Sequence, residues 1–148
     1  MPRLGSTRKI DCDGLLAAAL TGGLVRIGLR AAGIGAGDRV LLPGLICREA
    51  VASLTCVGAV PAFYAVDEQL CLRIDTSTFQ QAEKVRAVVA VNYFGFPQPL
   101  EPLRTWCRAR GAMLIEDNAN GFRSEDAGVA LGRRGYLGVF SLRKTLPL

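Results

Sequence analysis

The chain has 148 residues, 50% of them hydrophobic, a net charge of +5 and no histidine, which is the length and apolar content of one globular domain with a real core and excludes a disordered or repetitive protein. No apolar run nears the roughly 18 residues that a membrane span needs, and the arginines are dispersed rather than gathered into a basic run with interleaved aromatics, so neither a membrane nor a nucleic acid is expected as partner. The missing histidine removes the commonest general base and metal ligand, leaving proton transfer to lysine, carboxylate, cysteine or tyrosine.

The elements follow in chain order. Residues 24–32 have helical periodicity and stop at Gly33, and residues 49–57 stop in the same way at Gly58. An apolar strand is expected at residues 39–42 and another at 60–65. Ser77 can cap a helix that runs through Phe79 to Glu83. A strand at 86–92 precedes a helix over 99–110, whose basic last turn and following Gly111 suit the helix dipole. Strands at 112–117 and 138–142 complete the series.

Apolar runs alternating with amphipathic segments are the signature of βαβ units, which makes the class α/β: a mostly parallel sheet flanked by helices in three layers. The near-continuous hydrophobicity of the strands predicts cover on both faces. The basic start, Met1 to Lys9, runs into Asp11 and Asp13 without a signal core. Five cysteines (Cys12, Cys47, Cys56, Cys71, Cys107) lie far apart with no C-x-x-C spacing, so neither a disulfide framework nor a zinc site is suggested, and reduced thiols in a cytoplasm are expected.

Ligands of open α/β sheets bind beyond the carboxyl ends of the strands, which selects residues 43–47, 92–97, 117–120 and 141–144. Ile115-Glu116-Asp117-Asn118-Ala119-Asn120 places an acidic pair where a buried strand ends, costly without a cation, and a protonated pyridine nitrogen is such a cation. Gly138 to Lys144 ends another strand with a hydroxyl, a guanidinium and an amine, which suit a phosphate acceptor site and covalent attachment of a carbonyl cofactor. Taken singly, Asp117 reads equally as a cap after a strand, Ser141 as a satisfied strand-end hydroxyl, and Arg143-Lys144 as a solvated basic pair. Cys47 reads as a small hydrophobe. Gly33-Ile34-Gly35 follows a helix and precedes a strand, the reverse of the order a dinucleotide site requires.

Five stretches in register carry a resemblance: residues 33–43, 58–63, Asn92-Tyr93-Phe94-Gly95-Phe96-Pro97, Ile115-Glu116-Asp117 and Val139-Phe140-Ser141. In this order they resemble the DegT/StrS-type sugar aminotransferases, fold-type-I pyridoxal-phosphate enzymes, from about the first expected helix to the carboxyl terminus. The resemblance implies that residues 1–148 are a partial cofactor-binding large domain whose carboxyl-terminal domain is absent. It gives Asp117 the contact to the pyridine nitrogen, Asn120 the place of a glutamine near the ring's 3-hydroxyl, and Ser141 a phosphate contact. Gly22 and Gly23 stand in the first phosphate loop, where the amides of a helix start hold anions.

The first phosphate loop departs from the family pattern, with Thr21-Gly22-Gly23 where the family usually has a glycine, a serine or threonine, and a small residue, and three further positions depart as well. Cys47 falls where many relatives place an aromatic ring that stacks on the cofactor, and Tyr136 where they often have an acidic residue. The family's lysine usually comes five residues after the serine, where this chain has Leu146, whereas Lys144 comes three after Ser141. Lys144 is nevertheless the one lysine near the expected strand ends and is assigned the covalent attachment. The implied activity moves an amino group from an amino acid such as glutamate to a nucleotide-linked keto sugar, in a homodimer. Two other readings stand beside it: a non-catalytic remnant of the fold, and a nucleotide- or phosphate-binding module using the same crevice.

Overall fold

The computed structural model describes residues 15–18, 29–74, 77–80, 82–141 and 144. In chain order, the strands are β1 (Leu15–Ala18), β2 (Arg39–Pro43), β3 (Val60–Tyr64), β4 (Val85–Val91), β5 (Met113–Asp117), β6 (Glu125–Asp126), β7 (Val129–Ala130) and β8 (Leu137–Phe140). The helices are α1 (Arg48–Cys56), α2 (Ser77–Gln80) and α3 (Glu101–Arg110). Six strands form one sheet in the order β1-β8-β5-β4-β2-β3, and every pairing in it is parallel.

Alternation along the central strands explains the layers. Val40, Leu42, Ala87, Val89, Met113 and Ile115 pack with Leu29, Ile34 and Leu54 on one face. Leu41, Val88, Ala90 and Leu114 pack with Phe79, Leu103 and Trp106 on the other. Successive side chains of a strand point to opposite faces, so strands apolar at every position need cover on both, as the α/β reading requires. The helix expected at residues 24–32 is helical at 29–31, and residues 24–28 lie outside the described set. Its end follows from Gly33, whose φ of 72° lets the N–H of Ile34 return to the Leu29 carbonyl at 2.9 Å.

Several expectations are corrected. β3 is an edge strand with Val60 48% and Phe63 49% exposed, so cover on both faces does not extend to it. The helix from Ser77 stops at Gln80, and Ala82 and Glu83 are not helical. Lys84 has a φ of 52°, which turns the chain into β4 and cannot continue a helix. What holds this single turn is Phe79, which is fully buried, lies edge-on to Trp106 at 5.2 Å and accepts the Trp106 indole N–H through its carbonyl. β8 ends at Phe140 rather than 142. Two elements were not expected, β1 and the β6–β7 hairpin, whose Ala127 and Gly128 have φ of 49° and 78°, the doubly positive turn that suits a tight hairpin.

β8 is crossed closely by the loop before it. A Cβ on Gly138 would meet the carbonyl of Gly132, which is backbone and cannot swing aside. Gly138→Ala is therefore expected to cost about 1–3 kcal/mol by overpacking, read as a lower urea midpoint at unchanged slope. Gly35→Ala, where an added Cβ meets nothing within 4 Å, should shift stability by less than about 0.5 kcal/mol.

Candidate active site

A cavity of about 350 Å³ opens beyond the carboxyl ends of β2, β4 and β5. Leu45, Ile46 and Cys47 line it from the loop after β2, Val91 to Phe94 from the end of β4, and Asp117, Ala119 and Asn120 from the end of β5, with Lys144 completing it. This is where an open parallel sheet offers a crevice, because the crossover connections leave the carboxyl ends of neighbouring strands uncovered.

Four residues singled out in the sequence meet here: Asp117, Asn120, Cys47 and Lys144. Asp117 is the last residue of β5, half-buried, and its Oδ1 accepts the Ala119 N–H at 3.1 Å. Burial raises its pKa above the ordinary carboxylate value, against the opposing pull of that N–H and of the Lys144 charge. Lys144 is exposed and is tied by its backbone N–H to the Ser141 carbonyl at 3.1 Å. Cys47 is an exposed thiol at the start of α1, with no side-chain capping bond. Ser141 directly follows β8 but is not among the described lining residues, and Gly22 and Gly23 lie outside the described residues.

The turns that carry these groups are packed backbone to backbone. Tyr93–Gly95 form one 3₁₀ turn with Phe94 at φ 54°, and a Cβ on Gly95 would lie 3.1 Å from the Asn120 carbonyl and 2.9 Å from Ser124 Oγ. Asn118, fully buried, donates through Nδ2 to the Gly121 carbonyl at 2.7 Å, and its backbone N–H reaches Val139 on β8 at 2.8 Å. Small residues at 95 and 121 thus place Asn120 at the cavity.

Reading Glu116 and Asp117 as one acidic pair facing a ligand is corrected. Neighbours on a strand face opposite ways, and Glu116 is fully buried on the other face. Its Oε1 accepts the N–H groups of Arg134 at 2.6 Å and Gly135 at 2.7 Å. Its Oε2 accepts those of Gly132, Asn92 Nδ2 and Arg134 Nε at 3.2, 3.3 and 3.2 Å. The cation that compensates Glu116 is therefore Arg134 and not a ligand.

Tyr93 is the functional candidate that sequence reasoning left unassigned. Its hydroxyl donates to the Leu45 carbonyl at 2.6 Å, joining two walls of the cavity. Burial, followed by the Asp117 charge, pushes its pKa to about 12, so it stays a neutral donor. The Asn92-to-Pro97 motif marked the segment, but nothing in its spacing shows which carbonyl the phenol reaches.

The architecture is that of the fold-type-I aminotransferases. The model of the DegT/DnrJ/EryC1/StrS aminotransferase family matches residues 17–148, and the chain belongs to that family, whose enzymes use pyridoxal 5′-phosphate. It is 32% identical over 123 residues to the L-glutamine:2-deoxy-scyllo-inosose aminotransferase of Streptomyces kanamyceticus, covering 82% of this chain and 29% of that protein. The solved aminotransferase TlmJ from Streptoalloteichus hindustanus superposes with a TM-score of 0.72 at 32% identity, over 80% of this chain and 33% of that one. A sugar aminotransferase, Spr1654 from Streptococcus pneumoniae, solved in its PLP form, shares the fold with a TM-score of 0.64 at 22% identity, over 80% of this chain and 34% of that one. The chain thus spans about a third of the length of the relatives it matches.

Because burial raises the Asp117 pKa, the folded chain binds its proton more tightly than the unfolded one, and stability falls as pH rises through the folded pKa. Asp117→Asn is expected to raise the melting temperature of the unliganded chain at pH 7. The gain should vanish as pH drops below the ordinary carboxylate pKa of about 3.9, and melting curves at both pH values check it.

Proposed function

We propose that this chain forms the cofactor-binding part of an aminotransferase that moves an amino group from an amino acid to the ketone of a polyhydroxylated ring. One observation carries the reading: Asp117 and Lys144 line the same cavity in a chain of this family. Pyridoxal phosphate fits the groups present, since a carboxylate disfavoured by burial gains a cationic partner in a protonated pyridine nitrogen, an amine stands within the same cavity, and Ile46, Val91 and Ala119 offer apolar walls.

When bound, the cofactor supplies an electron sink for the charge that develops at the donor's Cα. Asp117 holds a proton on the ring nitrogen by its negative charge, and Asn120 donates an amide hydrogen to the ring's 3-oxygen. Lys144 would be the amine that holds the cofactor, and in a chain without histidine it would take and return the proton at the donor's Cα. Ser141 and, as the motif resemblance implies, Gly22 and Gly23 would hold the phosphate, and Cys47 leaves a cavity wall slimmer than the aromatic of many relatives would.

For the substrate, the motif resemblance supports glutamate as donor and a nucleotide-linked keto sugar as acceptor. The name of the Streptomyces kanamyceticus relative supports glutamine and an inosose, and a transamination assay crossing both donors with both acceptors separates the two.

A homodimer belongs to the same proposal, because Leu45 and Phe94 line the cavity while remaining 54% and 74% exposed, and Phe96 nearby is 72% exposed. Apolar surface of this kind marks an interface. Sedimentation velocity should show self-association that Phe94→Ser/Phe96→Ser weakens. A wild-type chain that sediments as a monomer at high concentration would contradict it.

The central test is chemical. Incubation with pyridoxal phosphate, borohydride reduction and peptide mass mapping should place a pyridoxyl group on Lys144 and lose it in Lys144→Ala. An adduct on Lys9 or Lys84 overturns the assignment. Phosphate binding without any adduct would favour the binding module, and neither would favour the remnant.

A further inference from the structure

Arg134 does not line the cavity, yet it is bound to the turn that does. Its side chain is 8% exposed. Nε donates to Glu116 Oε2 at 3.2 Å, Nη1 to the Gln98 carbonyl at 3.1 Å and to Asp126 Oδ2 at 2.5 Å, and Nη2 to Asn92 Oδ1 at 3.1 Å. The same Asn92 donates through Nδ2 to Glu116, so its carboxamide is gripped on both atoms by the ion pair.

Asn92 opens the turn that forms one cavity wall. Its backbone N–H reaches the Asp117 carbonyl at 2.9 Å and its carbonyl accepts the Gly95 N–H at 3.1 Å. Between them, Phe94 sits at φ 54°, a left-handed conformation that an aromatic residue rarely adopts and that persists only where its surroundings fix it. Phe94, 74% exposed, has little packing of its own to hold that conformation. The wall is held from behind at Asn92, and in front by the Tyr93 hydroxyl on Leu45.

We propose that Arg134 is a positioning residue of this site: by clamping Asn92 against the buried Glu116 it fixes the 92–95 turn, and with it the Tyr93 side of the cavity that takes pyridoxal phosphate. This rests on the reading of the cavity given above. The guanidinium fork is what the role requires, because one planar group reaches Glu116, Asn92, Gln98 and Asp126 at once. An ammonium keeps the charge that Glu116 needs but is a single point that cannot span those acceptors.

Arg134→Lys is therefore the discriminating variant, tested in the full chain with ring-¹³C tyrosine and with Tyr93 assigned through Tyr93→Phe. The Tyr93 resonance is expected to shift and broaden while that of Tyr64, whose hydroxyl is held by the Val89 carbonyl in the core, keeps its position. The dissociation constant for pyridoxal phosphate should rise about tenfold or more. Glu101→Ala, which removes an exposed ion pair of α3, should change neither. Should Arg134→Lys fail to fold, Glu116→Gln/Arg134→Met removes both buried charges together and is expected to displace Tyr93 in the same way. A folded variant with Tyr93 in its wild-type position, with Tyr64 displaced equally, or with affinity within twofold of wild type overturns the proposal. A wild-type chain that binds no pyridoxal phosphate sinks the cofactor reading instead, and the tyrosine spectra then decide the role of Arg134 by themselves.

Discussion

A carboxylate without access to water lies at the end of β5, and the carboxyl edge of the sheet is arranged around its needs. An isolated buried charge is among the costliest things a fold can contain, and Glu116 escapes that cost by accepting three backbone N–H groups, one carboxamide and one guanidinium. Those donors come from residues 92 and 132–135, so satisfying Glu116 pulls the end of β4 and the approach to β8 onto β5. Removing one partner of such a pair costs far more than the pair itself contributes, because the other is left charged and dry.

Asp117, one residue further on, has the opposite fate. It faces the cavity, and its fixed partners are one backbone N–H and the nearby charge of Lys144. Two adjacent carboxylates thus differ, one satisfied entirely within the protein and one facing the cavity.

Much of the frame was legible because it rests on patterns that burial enforces. β2 and β4 are apolar at most positions, β5 opens on Met113-Leu114-Ile115, and α3 carries its own stop in Arg108, Arg110 and Gly111. The site segments were legible from their places at strand ends and from the motif resemblance. Strand alternation separates Glu116 from Asp117, since neighbouring residues of a strand face opposite ways. What stayed hidden depends on distant partners. Arg134 meets Gln98, 36 positions away, and Tyr93 meets Leu45, 48 positions away, and no local pattern announces either. Ser77 signals the start of α2, while nothing in the local sequence signals that Lys84 turns left-handed.

The open side of β3 carries a consequence for growth of the sheet. The N–H of Val60 points inward, to the Asp38 carbonyl at 2.8 Å, so alternation turns position 61 outward, and that position is a proline. Where a further strand would dock, one rung of the ladder has no hydrogen to give. Natural sheets guard exposed borders by such means, and here a single imino acid discourages edge-to-edge pairing along the flank where Val60 and Phe63 are exposed.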